Sequence, residues 1–163
     1  LRLMKLSDIM SGTNERKLKD IHGGLLVQDE DIGDDRNWLI PTKKLPDEAQ
    51  RDDLLFAMKV VKHVKSNAIV LVKDNATVGI GAGQMNRVQA AKIAIAQAGE
   101  KAVGSVLGSD AFFPFPDTVE EAYNAGVTAI IQPGGSLKDN ESIEFCDAHN
   151  LPMVMTGVRH FRH

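Results

Sequence analysis

Ala68-Ile69-Val70-Leu71-Val72-Lys73-Asp74-Asn75-Ala76-Thr77-Val78-Gly79-Ile80-Gly81-Ala82-Gly83 is the stretch that decides the fold class. A β-rich run over residues 68–72 is turned by Asp74-Asn75 into a second run over residues 77–80. A helix is expected from about Met85, with Val88, Ile93 and Ile95 as apolar surface and Gly99 as its stop. A short strand follows around residues 105–107. Thr118-Val119-Glu120-Glu121 fits a capping box, with Thr118 at a helix start and Gly126 just past its end. Residues 127–131 read as a buried strand, Asp139 can cap the next helix, and residues 153–155 form the last strand. Upstream, Leu45-Pro46-Asp47 opens a helix with proline in its first turn, where a missing N–H costs little. Leu54, Met58 and Val61 recur along it at helical spacing. Gly23-Gly24 precedes a short strand, Leu25-Leu26-Val27. Residues 1–20 are weakly patterned and read as a linker or an element separated from its context. The alternation predicts an α/β domain, with helices packed on a mixed or largely parallel sheet.

The 163 residues suit one ordinary domain with a sizeable core, and an average apolar content places the chain among soluble globular proteins. No apolar run approaches the length of a membrane span. The formal net charge of -3, with acids and bases interspersed, lacks the basic stripe of a nucleic-acid binder. Leu1 is neither an initiator methionine nor the start of a signal peptide, so the simplest expectation is a piece of something longer. Cys146, the single cysteine, excludes an intrachain disulfide and a cysteine-based metal cluster, which fits a reducing cytoplasm. It reads as a small apolar residue on a helix rather than a nucleophile.

Three stretches have the composition of ligand sites. Gly79-Ile80-Gly81-Ala82-Gly83 lies between a strand and a helix, where glycines let backbone approach a ligand and the helix N-terminus offers free N–H groups. Arg87, one turn in, would add charge for a phosphate. The spacing is not G-x-G-x-x-G, and a tight structural turn is an equally good reading. Pro133-Gly134-Gly135-Ser136 repeats the arrangement after another strand, as in a ligand crevice or any compact α/β domain. Ser109-Asp110-Ala111-Phe112-Phe113-Pro114-Phe115-Pro116-Asp117 crowds three phenylalanines between prolines and carboxylates. Such a loop suits either a stacking surface for a planar heterocycle or a core plug, and its prolines favour the site. The basic tail, Arg159-His160-Phe161-Arg162-His163, can fold back onto an anion or stay solvated. Lys62-His63 reads as surface, and His22 and His149 lack partners at metal-ligand spacing, so no zinc is expected.

Lys65-Ser66-Asn67-Ala68-Ile69-Val70, the glycine segment through Arg87, the phenylalanine loop, Gln132-Pro133-Gly134-Gly135-Ser136 and the tail occur in an order that resembles a known family. It is the bifunctional purine-biosynthetic enzymes that combine AICAR transformylase with IMP cyclohydrolase. Gly23-Gly24-Leu25-Leu26-Val27-Gln28-Asp29 agrees as well, so the resemblance covers about residues 20–163 and is to the C-terminal part of the transformylase region. It implies residues 1–20 as a linker or truncated element and residues 21–163 as the C-terminal subdomain. It further implies a three-layer cytidine-deaminase-like fold, with a mixed sheet, flanking helices and no zinc. The implied reaction is formyl transfer from 10-formyltetrahydrofolate to AICAR, at a site on a homodimer interface. By motif, Asn67, Arg87, Phe112 and Arg159 would contact AICAR. Val88, Asp117, Ser136 and Leu137 would border the folate, and a monovalent cation such as potassium would lie near Val61, Ser66 and Asp110.

Two departures from the family pattern matter. The family's catalytic Lys-His pair sits in a Phe-Lys-His-Val-Ser-Pro-Ala-Gly type segment that does not occur here, and Lys62-His63 lies in a different motif. Pro116 stands where the family often has arginine. The resemblance therefore implies a chain that supplies ligand-binding residues to a site completed elsewhere, in the missing N-terminal part of the parent. The alternative is a non-catalytic module that binds nucleotide or folate, or only assembles. A zinc deaminase is excluded by the missing Cys/His ligand set.

Overall fold

The computed structural model describes residues 16–33 and 36–162. Leu1, His163 and residues 1–15 of the expected linker lie outside the described residues. The chain divides into two compact units, Leu1–Ile32 and Gly33–His163.

In the first unit, β1 (Lys17–Ile21) and β2 (Gly24–Gln28) form an antiparallel hairpin with Lys17 opposite Gln28. Gly23, at φ 78°, supplies the left-handed turn residue between them. Weak hydrophobic patterning hid β1 in the sequence, and only β2 is legible there.

The second unit is built on a five-stranded sheet of order β4-β3-β5-β6-β7, from β3 (Ile69–Lys73), β4 (Ala76–Gly81), β5 (Val106–Ser109), β6 (Ala129–Gln132) and β7 (Met153–Met155). β3 runs antiparallel to β4 and β5, whereas β5, β6 and β7 are parallel, so the sheet is mixed. Successive β3 side chains face opposite sides, as strand geometry requires. Val70 and Val72 meet α1 (Glu48–Val61) in one apolar cluster with Leu54, Met58 and Val61. Ile69 and Leu71 join a second cluster with α2 (Arg87–Ala98), α3 (Asp117–Asn124) and α4 (Asp139–Ala148). Helices therefore cover both faces, and the expected three layers are present.

Several local expectations change. The α1 start is set by a capping box the sequence reading overlooked: Asp47 is the N-cap, its carboxylate accepts from the Gln50 N–H at 2.8 Å, and Gln50 returns the bond. Pro46 precedes that cap rather than sitting in the first turn. The capping box expected at Thr118 does not form. Pro116 is the N-cap of α3, Thr118 is buried inside the first turn, and Asp117 accepts from the Thr118 N–H at 2.7 Å. Gly126 does follow the helix, at φ 84°. Asp139 spends its carboxylate on the preceding loop, accepting from the N–H groups of Gly135 and Ser136, instead of capping α4.

The glycine segment also reads differently in three dimensions. Gly79 and Gly81 belong to β4, not to a loop, and a Cβ on either would collide with the carbonyl oxygen of Ala94 or Ala90 in α2. The buried helix surface is Ala90, Ala91, Ala94 and Ala98, with Ile95 packed beside it as expected, whereas Val88 and Ile93 are not part of that cluster. Glycines opposite alanines let helix and strand backbones approach closely, so this motif is mainly a packing seam. Cys146 is fully buried in the α2–α3–α4 cluster, and burial, assisted by Asp147, pushes its thiol up to about 12. That environment suits a packing residue and leaves almost no thiolate at neutral pH.

If the seam governs packing, Gly79→Ala lowers unfolding stability by about 2 kcal/mol through forced backbone separation. Urea denaturation followed by circular dichroism checks this: a reduced midpoint at unchanged slope is expected, and an unaltered midpoint would show that the seam yields freely.

Candidate functional site

β5 ends at Ser109, and the next residue, Asp110, is completely buried. Its N–H donates to the Ala68 carbonyl at 3.3 Å and its own carbonyl accepts from the His160 N–H at 2.9 Å, so its backbone is held from two sides. Arg87 opens α2 with its side chain only 11% exposed, and its Nη2 meets Asp110 Oδ1 at 3.2 Å. A buried carboxylate requires a partner, because desolvation of an isolated charge is costly. Arg87 supplies that partner. Asp110 Oδ2 and Arg87 Nε remain buried without a hydrogen-bond partner.

Arg159 brings a second positive charge. Its guanidinium carbon lies 4.9 Å from the Phe112 ring centroid, a cation–π contact. Its Nη2 lies close to Gly135 of the second glycine turn. Burial pushes the Arg87 guanidinium down from its ordinary value, Asp110 opposes that effect, and the nearby positive charge of Arg159 adds to it. One guanidinium is thus paired with the carboxylate while a second stands near enough to repel it, leaving an excess of positive charge beside an aromatic ring. Such an arrangement favours an anion carrying a planar group.

The phenylalanine loop divides its labour. Phe113 is fully buried in the core, whereas Phe112 and the half-exposed Phe115 line a cleft of about 340 Å³. Pro114, Ser136, Leu137 and Lys138 complete most of the lining, with the Lys138 ammonium 4.7 Å from the Phe115 ring centroid. The core-plug reading holds for Phe113, while Phe112 and Phe115 are turned to the cleft. Asp139 fixes the opposite wall by accepting from Gly135 and Ser136 at 2.7 and 3.1 Å.

Of the residues singled out in the sequence, Arg87, Asp110, Phe112 and Arg159 come together directly. Ser136 and Leu137 share the cleft with Phe112, but Val88 and Asp117 are not part of its lining. Asn67 pairs with Gln84 through reciprocal backbone bonds and donates its side-chain N–H to the Gln84 carbonyl at 2.9 Å, which closes the neck before α2. Ser66 engages the tail: its N–H donates to the Arg162 carbonyl, and its Oγ accepts from the Arg162 N–H. Val61 is buried at the end of α1. The contact of Lys138 with Phe115 and those of Arg162 with Ser66 and His63 join residues distant in sequence, so spacing could not reveal them. Among the described residues, no group of three or more His, Cys, Asp or Glu is placed to hold a metal, and no helix is long and apolar enough to cross a membrane.

Fold and geometry together define a three-layer α/β domain with a cationic, aromatic-rimmed cleft as its candidate site. The chain belongs to the AICARFT/IMPCHase bienzyme family, whose model matches residues 1–97. It is 62% identical over 165 aligned positions to the bifunctional purine biosynthesis protein PurH of Bacillus subtilis (strain 168), and 61% identical to that of Bacillus mycoides (strain KBAB4). Each match covers 100% of this chain but 32% of the relative, so the chain spans about a third of the length of these curated relatives. Among solved structures, RibD of Acinetobacter baumannii is similar with a TM-score of 0.48 and 16% identity, covering 68% of this chain and 36% of that one.

Asp110→Asn removes the countercharge from a mostly buried arginine, and the expected cost is about 3 kcal/mol. Chemical denaturation reads this directly; a loss below a quarter of that size would mean that Arg87 is already satisfied by solvent.

Proposed function

We propose that this chain is the C-terminal subdomain of an AICAR transformylase and forms part of a site that transfers a formyl group from 10-formyltetrahydrofolate to the amine of AICAR. The observation that carries the proposal is the nearness of two guanidiniums, Arg87 paired with Asp110 and Arg159 seated on Phe112. AICAR pairs a phosphate with a planar heterocycle, and this cluster pairs surplus guanidinium charge with an aromatic surface. Arg87 and Arg159 would take anionic or carbonyl oxygens, Phe112 would border the ring, and Asn67 would close the neighbouring edge. Ser136 and Leu137, with Val88 and Asp117 further out, would border the folate. The apolar cleft lined by Phe112 and Phe115 suits an aromatic cosubstrate.

Family membership supports the substrate assignment, and the three layers with a mixed sheet support a deaminase-like frame without zinc. A potassium ion near Val61, Ser66 and Asp110 fits one observation, the buried and unpartnered Asp110 Oδ2. Bound there, it would offset charge on that carboxylate.

In the transfer, the amine nitrogen bonds to the formyl carbon, the bond from that carbon to N10 breaks, the amine loses a proton and the departing N10 takes one up. A positioned base for that proton contributes typically about 10²–10⁴-fold. Lys62-His63 does not suit the task, because His63 is exposed at the end of α1 and its carbonyl accepts from Arg162. The Lys-His segment would come from elsewhere in a longer parent, working as a cytoplasmic homodimer that also carries the cyclohydrolase. In the competing reading the chain is a binding or assembly module without catalytic output.

A formyl-transfer assay on this chain beside the full-length parent separates the two readings. Activity in the parent and silence in the chain alone supports a dependent subdomain. Arg87→Ala and Arg159→Ala in the parent should each weaken AICAR binding roughly 10- to 100-fold, the loss of one or two charge-assisted hydrogen bonds. Unchanged affinity in both variants by calorimetry would remove Arg87 and Arg159 from the site.

A further inference from the structure

The C-terminal tail is fastened at several points, and Arg159 lies between the fastenings. Before it, the Gly157 N–H donates to the Pro133 carbonyl at 2.9 Å. After it, the His160 N–H donates to the Asp110 carbonyl at 2.9 Å, and Arg162 makes a reciprocal pair with Ser66, Ser66 N–H to Arg162 O and Arg162 N–H to Ser66 Oγ, both at 2.9 Å. The Arg162 side chain adds one more link, with Nη1 donating to the His63 carbonyl at 2.8 Å. His63 belongs to the closing turn of α1, where its N–H donates to the Val60 carbonyl. Carbonyls at a helix C-terminus are left without intrahelical donors and carry the negative end of the dipole, so a guanidinium is well matched there.

Segments outside helices and strands open readily unless tied down. Arg159 is an exposed residue, and its guanidinium reaches Phe112 only because the flanking chain follows this path. Without the Arg162 clasp, buried His160 still anchors the segment, but beyond it the bonds between the Arg162 backbone and Ser66 lie at an exposed edge, and the segment opens more often. A binding residue that is in place only part of the time lowers apparent affinity by the fraction of time it is in place.

We propose that Arg162 is a positioning residue: its clasp on the His63 carbonyl holds the tail across the Val64–Asn67 loop and Asp110, so that Arg159 is preset over Phe112 for the anionic substrate. The inference rests on the reading of the site as an AICAR site, and it adds a role for a residue that touches no ligand.

The test uses the full-length parent carrying this segment, as wild type, Arg162→Ala and Arg162→Lys. Initial rates are measured with AICAR and 10-formyltetrahydrofolate varied in turn, and amide hydrogen exchange is followed across residues 157–162. Arg162→Ala should raise the KM for AICAR roughly tenfold, corresponding to a tail in place about one-tenth of the time, with kcat and the folate KM unchanged. Arg162→Lys should recover most of the loss, since one ammonium donor can still reach one carbonyl. Exchange at His160 and Arg162 should accelerate in Arg162→Ala while β3 stays as protected as in wild type. A wild-type AICAR KM in Arg162→Ala, a matching rise in the folate KM, or no recovery with lysine would overturn the proposal. If the wild-type parent transfers no formyl group, the function reading fails by itself. The exchange data then decide the clasp, with faster exchange supporting it and unchanged exchange rejecting it.

Discussion

The ion pair between Asp110 and Arg87 organises this domain. A carboxylate with no solvent exposure, placed directly after the central strand β5, is tolerable only with charge and hydrogen bonds arranged around it. Arg87 answers from the start of α2, Ala68 receives its N–H, and the tail attaches through its carbonyl. Strand end, helix start and C-terminal tail thus meet at one residue. The pair does more for location than for net stability, since buried ion pairs often return little beyond their desolvation cost. What it secures is the meeting point, and the site is built there.

Close packing makes that meeting possible. Gly79 and Gly81 allow α2 to lie against β4 with only alanine side chains between them, which sets the height of Arg87 over the sheet. On the opposite side, Asp139 draws the Gly135–Ser136 backbone into a fixed wall. Phe113 anchors the aromatic loop in the core, leaving Phe112 and Phe115 at the cleft. Each wall is held by a different physical device, and Arg159 spans the space between them.

Much of this architecture is legible in the sequence because it rests on local rules. The alternating strands and helices after residue 68, the Asp74-Asn75 turn and the apolar face of α1 all follow from period and turn chemistry. The turn has both residues at positive φ, 54° and 56°, and its N–H groups are bound by Asp53, a partner that only tertiary structure reveals. The failures have a common cause. Thr118 and Asp139 looked like caps because cap residues are recognised by spacing, yet Thr118 is buried inside the first turn and Asp139 binds the loop before it. The glycines of β4 looked like a ligand loop because their opposing alanines are distant in sequence. β1 carries too few regularly spaced apolar residues to stand out. At the site, residue types suggested Arg87, the phenylalanine loop and the basic tail, and the family resemblance singled out Phe112 and Arg159, but nothing in the sequence shows that Arg87 meets Asp110 or that Arg162 ties down the tail.

The central claim is that Arg87, Asp110, Phe112 and Arg159 form one anion-binding cluster for a planar nucleotide. The most direct measurement is a crystal structure of the full-length parent with AICAR bound. The account predicts ligand density between the two guanidiniums, with oxygens within hydrogen-bond distance of both and the heterocycle against Phe112. Well-ordered AICAR elsewhere, with Arg87 and Arg159 untouched, would contradict it.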